Sequence, residues 1–221
     1  MDDKSVASEI LQNKSPVRSL SLLGDMQLAS GSEDGTIHIW DLKEKGDSRH
    51  LNTLTGHKSD VWSLDTMVDP TNNEYKIIIS ASPEKTVRVW KEKDNGEIVS
   101  DTLTGHTSAV YSVCALGDGR LASGSFDETI RIWDLKKGGE HVQTLTGHTG
   151  SVLSVCALGD GRLASCFGDR TIRIWDLNKE KEKYEHVQTL TGHTDYVHSV
   201  CALGDGRLAS GSDDKAIRIF H

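Results

Sequence analysis

No segment of this 221-residue chain is apolar for long enough to cross a membrane as a helix. Its longest purely aliphatic runs, such as Ile77 to Ile79, fall far short of the roughly 20 residues a span requires. No apolar signal segment follows Met1. A soluble intracellular protein with no membrane partner is therefore expected, cytoplasmic, with the nucleus as the alternative. Basic runs are missing too. No five consecutive residues are Lys or Arg and the formal net charge is -8, so the phosphate-neutralising surface that sequence-independent nucleic-acid binding needs is not expected. With only three prolines and 36% hydrophobic residues, the composition fits neither a collagen-like nor a disordered chain. Cysteine is scarce: Cys114, Cys156 and Cys201 recur in three S-V-C-A-L segments and Cys166 stands elsewhere. That spacing is wrong for zinc, and reduced, buried, small apolar residues are expected, with no metal or cofactor.

What the chain has is repetition. T-L-T-G-H ends at His57, His106, His148 and His193, in steps of 49, 42 and 45 residues. An alternating segment closed by an aromatic ends at Trp40, Trp90, Trp133, Trp175 and Phe220, in steps of 50, 43, 42 and 45. Periods of this length mark a repeat architecture, here of five units. In the third unit, Val110 to Leu116 reads as a strand, Gly117-Asp118-Gly119 as a tight turn and Arg120 to Ser125 as a strand paired back upon it. Thr129 to Leu135 supplies a third strand and His141 to Thr146 a fourth. A meander this small cannot bury both its faces, so successive units must stack.

The two ends of the repeat suggest how the stack closes. The fifth unit stops at His221 after its third strand, while Ser8 to Asn13 aligns with the fourth-strand segment Gln143 to His148. Residues 6–13 are expected to pair beside Ala216 to Phe220, completing the fifth sheet and closing a ring. The whole of 1–221 would then be one domain.

Gly-His near the start of each unit and Trp133-Asp134 or Trp175-Asp176 near its end make the chain resemble the WD-repeat (WD40) β-propellers over essentially its whole length. The resemblance implies an all-β, WD40-type β-propeller of five four-stranded blades. The family most often has seven. It also implies a buried network of His, Ser, Asp and Trp pinning each blade, which falls on His106, Ser123, Asp127 and Trp133, and again on His148, Ser165, Asp169 and Trp175. In the second blade the set is His57, Ser80, Glu84 and Trp90, with the longer Glu in the place of Asp. The first blade has Asn13 where the histidine should stand, and the fifth has Phe220 where the tryptophan should. Ser, His and Asp are also the residue types of a hydrolytic triad, but repetition in every blade beside an aromatic marks architecture, and no catalytic residue is expected.

The G-D-G-R turns ending at Arg120, Arg162 and Arg207 read as hairpins with a solvated arginine, not as phosphate cradles, because no helix follows them. Asn13-Lys14-Ser15 matches a glycosylation sequon, which carries little weight before Pro16 and without a secretory signal. Units three, four and five share Cys-Ala-Leu-Gly-Asp-Gly-Arg-Leu-Ala-Ser yet diverge on both sides of it. In a meander both flanks reach one rim, which in the family is the top face where partners bind. The resemblance places partner-contacting positions at Arg18, Asp60, Trp62, Tyr111, Phe126, Leu153, Tyr196, His198 and Asp213. Four of these nine are aromatic in a chain with five Trp, four Tyr and three Phe, a concentration suited to binding anchors. The expected function is a noncatalytic scaffold, monomeric, holding a partner protein's peptide or domain on the top face, a ubiquitin-like domain included. A purely structural assembly unit, a fragment of a larger propeller, or a propeller enzyme built on Asp60, His198 and Asp213 are the alternatives.

Overall fold

A computed structural model describes residues 10–24, 26–43, 49–71, 76–93, 95–178 and 183–221. It consists of five antiparallel meanders laid side by side. The first contains β1 (Val17–Gly24), β2 (Gln27–Ser32), β3 (Ile37–Asp41) and β4 (His50–Leu54). The second contains β5 (Ser63–Val68), β6 (Lys76–Ala81), β7 (Val87–Glu92) and β8 (Ile98–Leu103). The third contains β9 (Val110–Ala115), β10 (Arg120–Ser125), β11 (Ile130–Asp134) and β12 (Glu140–Leu145). In the fourth are β13 (Val152–Ala157), β14 (Arg162–Phe167), β15 (Ile172–Asp176) and β16 (Glu185–Leu190), and in the fifth β17 (Val197–Ala202), β18 (Leu208–Ser212) and β19 (Ile217–Phe220). The strands of the third unit fall within a residue or so of their expected places.

The apolar cores lie between sheets, not within them. Ile77, Ile79, Val87 and Val89 of the second sheet meet Val110, Val113, Leu121 and Trp133 of the third, and the other neighbouring sheets meet in the same way. Each first-strand valine seats against a small residue of the preceding sheet. A Cβ added at Gly124 would stand 2.5 Å from Val152 Cγ1, and one at Gly31 2.6 Å from Val61 Cγ1. Real Cβ contacts are never this close, so the absence of a side chain sets how near adjacent sheets approach.

The innermost strands are also laced by side chains. Val113 N donates to Ser63 Oγ at 3.2 Å and Ala115 N to Asp65 at 2.8 Å; Val155 N donates to Ser112 Oγ at 3.1 Å and Ala157 N to Cys114 Sγ at 3.1 Å. Val200 N and Ala202 N repeat the pattern on Ser154 and Cys156. Inner-edge amides that a lone sheet would leave to water thus find acceptors on the neighbour. The recurring cysteines are therefore acceptors in this lacing and not merely apolar filler. Cys114 is buried, and burial pushes its thiol up to about 12, as it does for Cys166. Cys201, expected to be buried, is exposed, because no further inner strand covers it among the described residues.

The expected ring closure is not present among the described residues. Residues 6–9 of the proposed closing strand lie outside them, residues 10–12 form no strand, and the fifth sheet has three strands. Val61, Val110, Val152 and Val197 are fully buried, whereas Val17, which closure would press against Gly211, is 45% exposed. A Cβ at Gly211 would meet only Ser199 of its own sheet. Ile217 is 78% exposed where its counterparts Ile37, Val87, Ile130 and Ile172 are buried. Among the described residues no apolar core joins the fifth sheet to the first, and residues 6–9, on which closure turns, lie outside them.

Candidate functional site

Each intact blade is pinned by a relay that runs from a turn into the sheet. In the third, His106 Nδ1 donates to Asp127 at 2.9 Å, Ser123 Oγ donates to His106 Nε2 at 2.7 Å and Trp133 Nε1 donates to Ser123 Oγ at 2.9 Å. Asp127 also accepts from Thr107 N at 2.9 Å and from Thr129 Oγ1 at 2.6 Å. Every buried polar atom in the relay has a partner. Burial, partly offset by the Asp127 bond, lowers the His106 pKa and keeps the ring neutral. The second blade accommodates Glu84 in the same role, at 2.5 Å from His57 Nδ1 and 3.1 Å from Lys58 N. In the fifth, His193 meets Asp214 and Ser210, each at 2.7 Å, and the His193 bond draws the Asp214 carboxyl down to about 2. Trp40 still donates to Ser30 at 2.8 Å in the first blade, but Asn13 turns to Ser32 Oγ at 2.6 Å, so the amide of the sequon is engaged.

The fourth blade, complete on paper, is broken in space. His148 Nε2 meets Ser165 Oγ at 2.8 Å and Trp175 donates to Ser165, yet His148 Nδ1 has no partner. Asp169 accepts only from Thr171 N and Oγ1. Phe167 stands where the other four blades carry a serine, Ser32, Ser82, Ser125 and Ser212. Ser125 receives Asp127 N at 3.1 Å and so draws its turn inward. Phe167 is fully buried and offers no such acceptor. Asp127→Ala should therefore cost about 2 to 3 kcal/mol by stranding His106 and Thr107 donors, and Asp169→Ala under about 1 kcal/mol. Equal losses in urea unfolding would contradict this geometry.

The turns between second and third strands and the segments entering the first strands share one end of the sheets, as expected. There Trp62 and Tyr111 stack with ring centroids 4.6 Å apart and planes 20° from parallel, and Phe126 stands 6.3 Å from Tyr111. Trp62 and Tyr111 are half-buried and Phe126 is 54% exposed. Phe126 N donates to Ala109 O at 2.9 Å, tying the two contributing segments together. Arg18 bridges Glu33 at 2.9 Å and Asp60 at 3.7 Å, while His198 pairs with Asp213 at 2.8 Å. Tyr196 is exposed and lies near Gly168, apart from the stacked rings. Leu153 packs against the core between the fourth and fifth sheets and contributes little to the rim. Of the three residues weighed for a propeller enzyme, Asp60 pairs with Arg18 and His198 with Asp213, and among the described residues no group of three or more His, Cys, Asp and Glu could hold a metal.

At the opposite hairpins each arginine folds back on its own turn, Arg162 on Asp160 and Arg207 on Asp205, both at 2.6 Å. Arg120 departs from the expected solvated state. It is buried, paired with Asp118 at 2.7 Å and bonded to Leu177 O and the Tyr184 hydroxyl. Tyr184 comes from the longer connection of the next blade, and Gln143 fastens it by bonds of 3.0 Å to its N and O. This clip was not legible in the repeat because it joins two blades across 64 residues.

A family model for "WD domain, G-beta repeat" matches five times in succession, over residues 5–41, 48–91, 98–134, 139–176 and 184–221. The chain belongs to the WD40 family. Each match from the second onward starts at an outer strand and ends with the third strand of the next blade. Over 117 residues the chain is 35% identical to a protein named "Ribosome biogenesis protein WDR12 homolog" from Aedes aegypti, covering 52% of this chain and 25% of that one. Over 134 residues it is 35% identical to "Ubiquitin homeostasis protein lub1" from Schizosaccharomyces pombe, covering 61% and 17%. The aligned stretches thus span a quarter or less of these curated relatives. The crystal structure of the RRP9 WD40 repeats superposes with a TM-score of 0.79 at 22% identity, covering 95% of this chain and 61% of that chain. Among the described residues no helix is long and apolar enough to cross a membrane.

Proposed function

We propose that this WD40 chain is a noncatalytic protein-interaction scaffold that holds a partner's peptide or domain across the top rim, with Trp62, Tyr111 and Phe126 as its apolar anchor. The observation that carries this reading is the continuous aromatic step from the Trp62–Tyr111 stack to exposed Phe126, placed where otherwise identical repeats differ. Rigid aromatic area offered at low entropic cost is what interface hot spots use. The Arg18–Glu33–Asp60 group would form the polar margin on one side, with Tyr196, His198 and Asp213 as a second, separate contact.

The test is affinity capture with the wild-type chain and with Trp62→Ala, Tyr111→Ala and Phe126→Ala. Each change should weaken a captured partner by about 1 kcal/mol or more, roughly five-fold. Phe126→Ala should leave stability within about 0.5 kcal/mol. A folded triple variant that keeps every partner would reduce the rim to neutral drift. The names of the relatives suggest two refinements: a nucleolar or nuclear place of work rather than the cytoplasm, and a ubiquitin-like partner. Imaging of the tagged chain addresses the first, and competition with free ubiquitin the second. One chain per complex is part of the proposal, read by light scattering.

A further inference from the structure

We propose that His38, His50 and Thr53, between the third and outermost strands of the first blade, bind a divalent transition-metal ion of the Zn2+ class. His38 Nδ1 lies 3.1 Å from His50 Nε2 and 3.1 Å from Thr53 Oγ1, and His50 Nε2 lies 2.9 Å from Thr53 Oγ1. Three donor atoms form a nearly equilateral triangle. Nitrogen ligands of a tetrahedral zinc ion, each about 2.0 to 2.1 Å from the metal, stand about 3.3 Å apart. The triangle is thus close to one face of such a shell, with water free to complete it.

The hydrogen bonds around His38 prepare it as a ligand. Thr36 Oγ1 gives its only hydrogen to Asp34 Oδ1 at 2.6 Å, so at 3.1 Å from His38 Nε2 it can only accept. His38 therefore carries its proton on Nε2 and turns the Nδ1 lone pair to the triangle. A ligand histidine whose other N–H is held by a polar chain ending in a carboxylate is a recurrent arrangement at metal centres. Without an ion the triangle has too few hydrogens to bond all three edges, since Nδ1 can only accept.

The repeat isolates the feature. His141 and His186 occupy the His50 position, each 2.9 Å from a threonine hydroxyl, but Arg131 and Arg173 stand where His38 does. The ingredient peculiar to the first blade is the second imidazole. Lys14, whose charge is felt at His38, opposes a bound cation, and Asp34 counters it.

Calorimetric titration of the tag-free chain with ZnCl2 tests the site. One ion per chain is expected. His38→Arg, which installs the residue of the other blades, and His50→Gln should each weaken binding about ten-fold or more. Thr53→Val should weaken it less, Lys14→Gln should strengthen it, and His141→Ala should change nothing. Unaltered binding by His38→Arg overturns the proposal, as does loss on His198→Ala, which would move the ion to the exposed His198–Asp213 pair. Absence of any bound ion in the wild type also overturns it. Should His38→Arg fold poorly by circular dichroism, His50→Gln, at an exposed position, decides alone.

Discussion

Ser123→Ala should lower the unfolding free energy by about 2 to 5 kcal/mol, although it removes a single oxygen. The hydroxyl is the hub of the third blade, accepting from Trp133 Nε1 and donating to His106 Nε2. Its loss strands an indole N–H and an imidazole lone pair, both buried, at about 1 to 3 kcal/mol each. The fifth blade is the natural comparison. Phe220 has no N–H to offer, so Ser210→Ala strands only His193 and should cost about half as much. Urea unfolding of the two variants in parallel checks the ratio. Equal losses would mean that the indole donor contributes nothing, and blade rigidity would then have to be assigned to the inter-sheet cores instead.

That comparison also marks what could be read from residues alone. Strand order and the Asp-Gly hairpins follow from local pattern, since alternation and turn chemistry act within one repeat, while the His–Ser–Trp relay follows from the resemblance to the WD40 family. The rim was legible because the family's partner-contacting positions fall on Trp62, Tyr111 and Phe126, the last two flanking a block that recurs in units three to five. What escaped depends on contacts between repeats. Phe167 lacks the hydroxyl with which Ser125 draws in its turn, so Asp169 is not brought to His148 Nδ1. Arg120 looked solvated until the connection of the next blade reached across with Tyr184. His38, at the position Arg131 and Arg173 hold in other blades, is set beside His50 only by strand pairing.

Stability should fall steeply once the pH drops below about 6.5, with His148 contributing most. Burial lowers the pKa of His57, His106 and His148 in the folded chain from a starting value of 6.5. A group whose folded pKa is depressed lends stability that is fully present above its unfolded value and is lost as pH falls toward the folded one. The unfolded chain takes up protons that the folded chain refuses, about 1.4 kcal/mol per pH unit for each. Three such histidines set a ceiling of about 3 kcal/mol lost between pH 6.5 and 5.5. They do not share it equally. Glu84 and Asp127 stand ready to hold a charged His57 or His106, which moderates their depression, whereas His148 Nδ1 has no carboxylate and Arg173 further disfavours its charge. Further acid then removes the stability lent by Glu84 and Asp127. Burial alone would raise both pKa values, but the bonds they accept outweigh it and hold them below 4.5 and 3.8. His148→Gln separates the contributions. It should be less stable than wild type at pH 7.5, because a fitted ring is lost, yet lose less on going to pH 5.5, because one titrating group is gone. Parallel stability curves for the two chains would mean that His148 accepts its proton in the folded state, and that Asp169 reaches it after all.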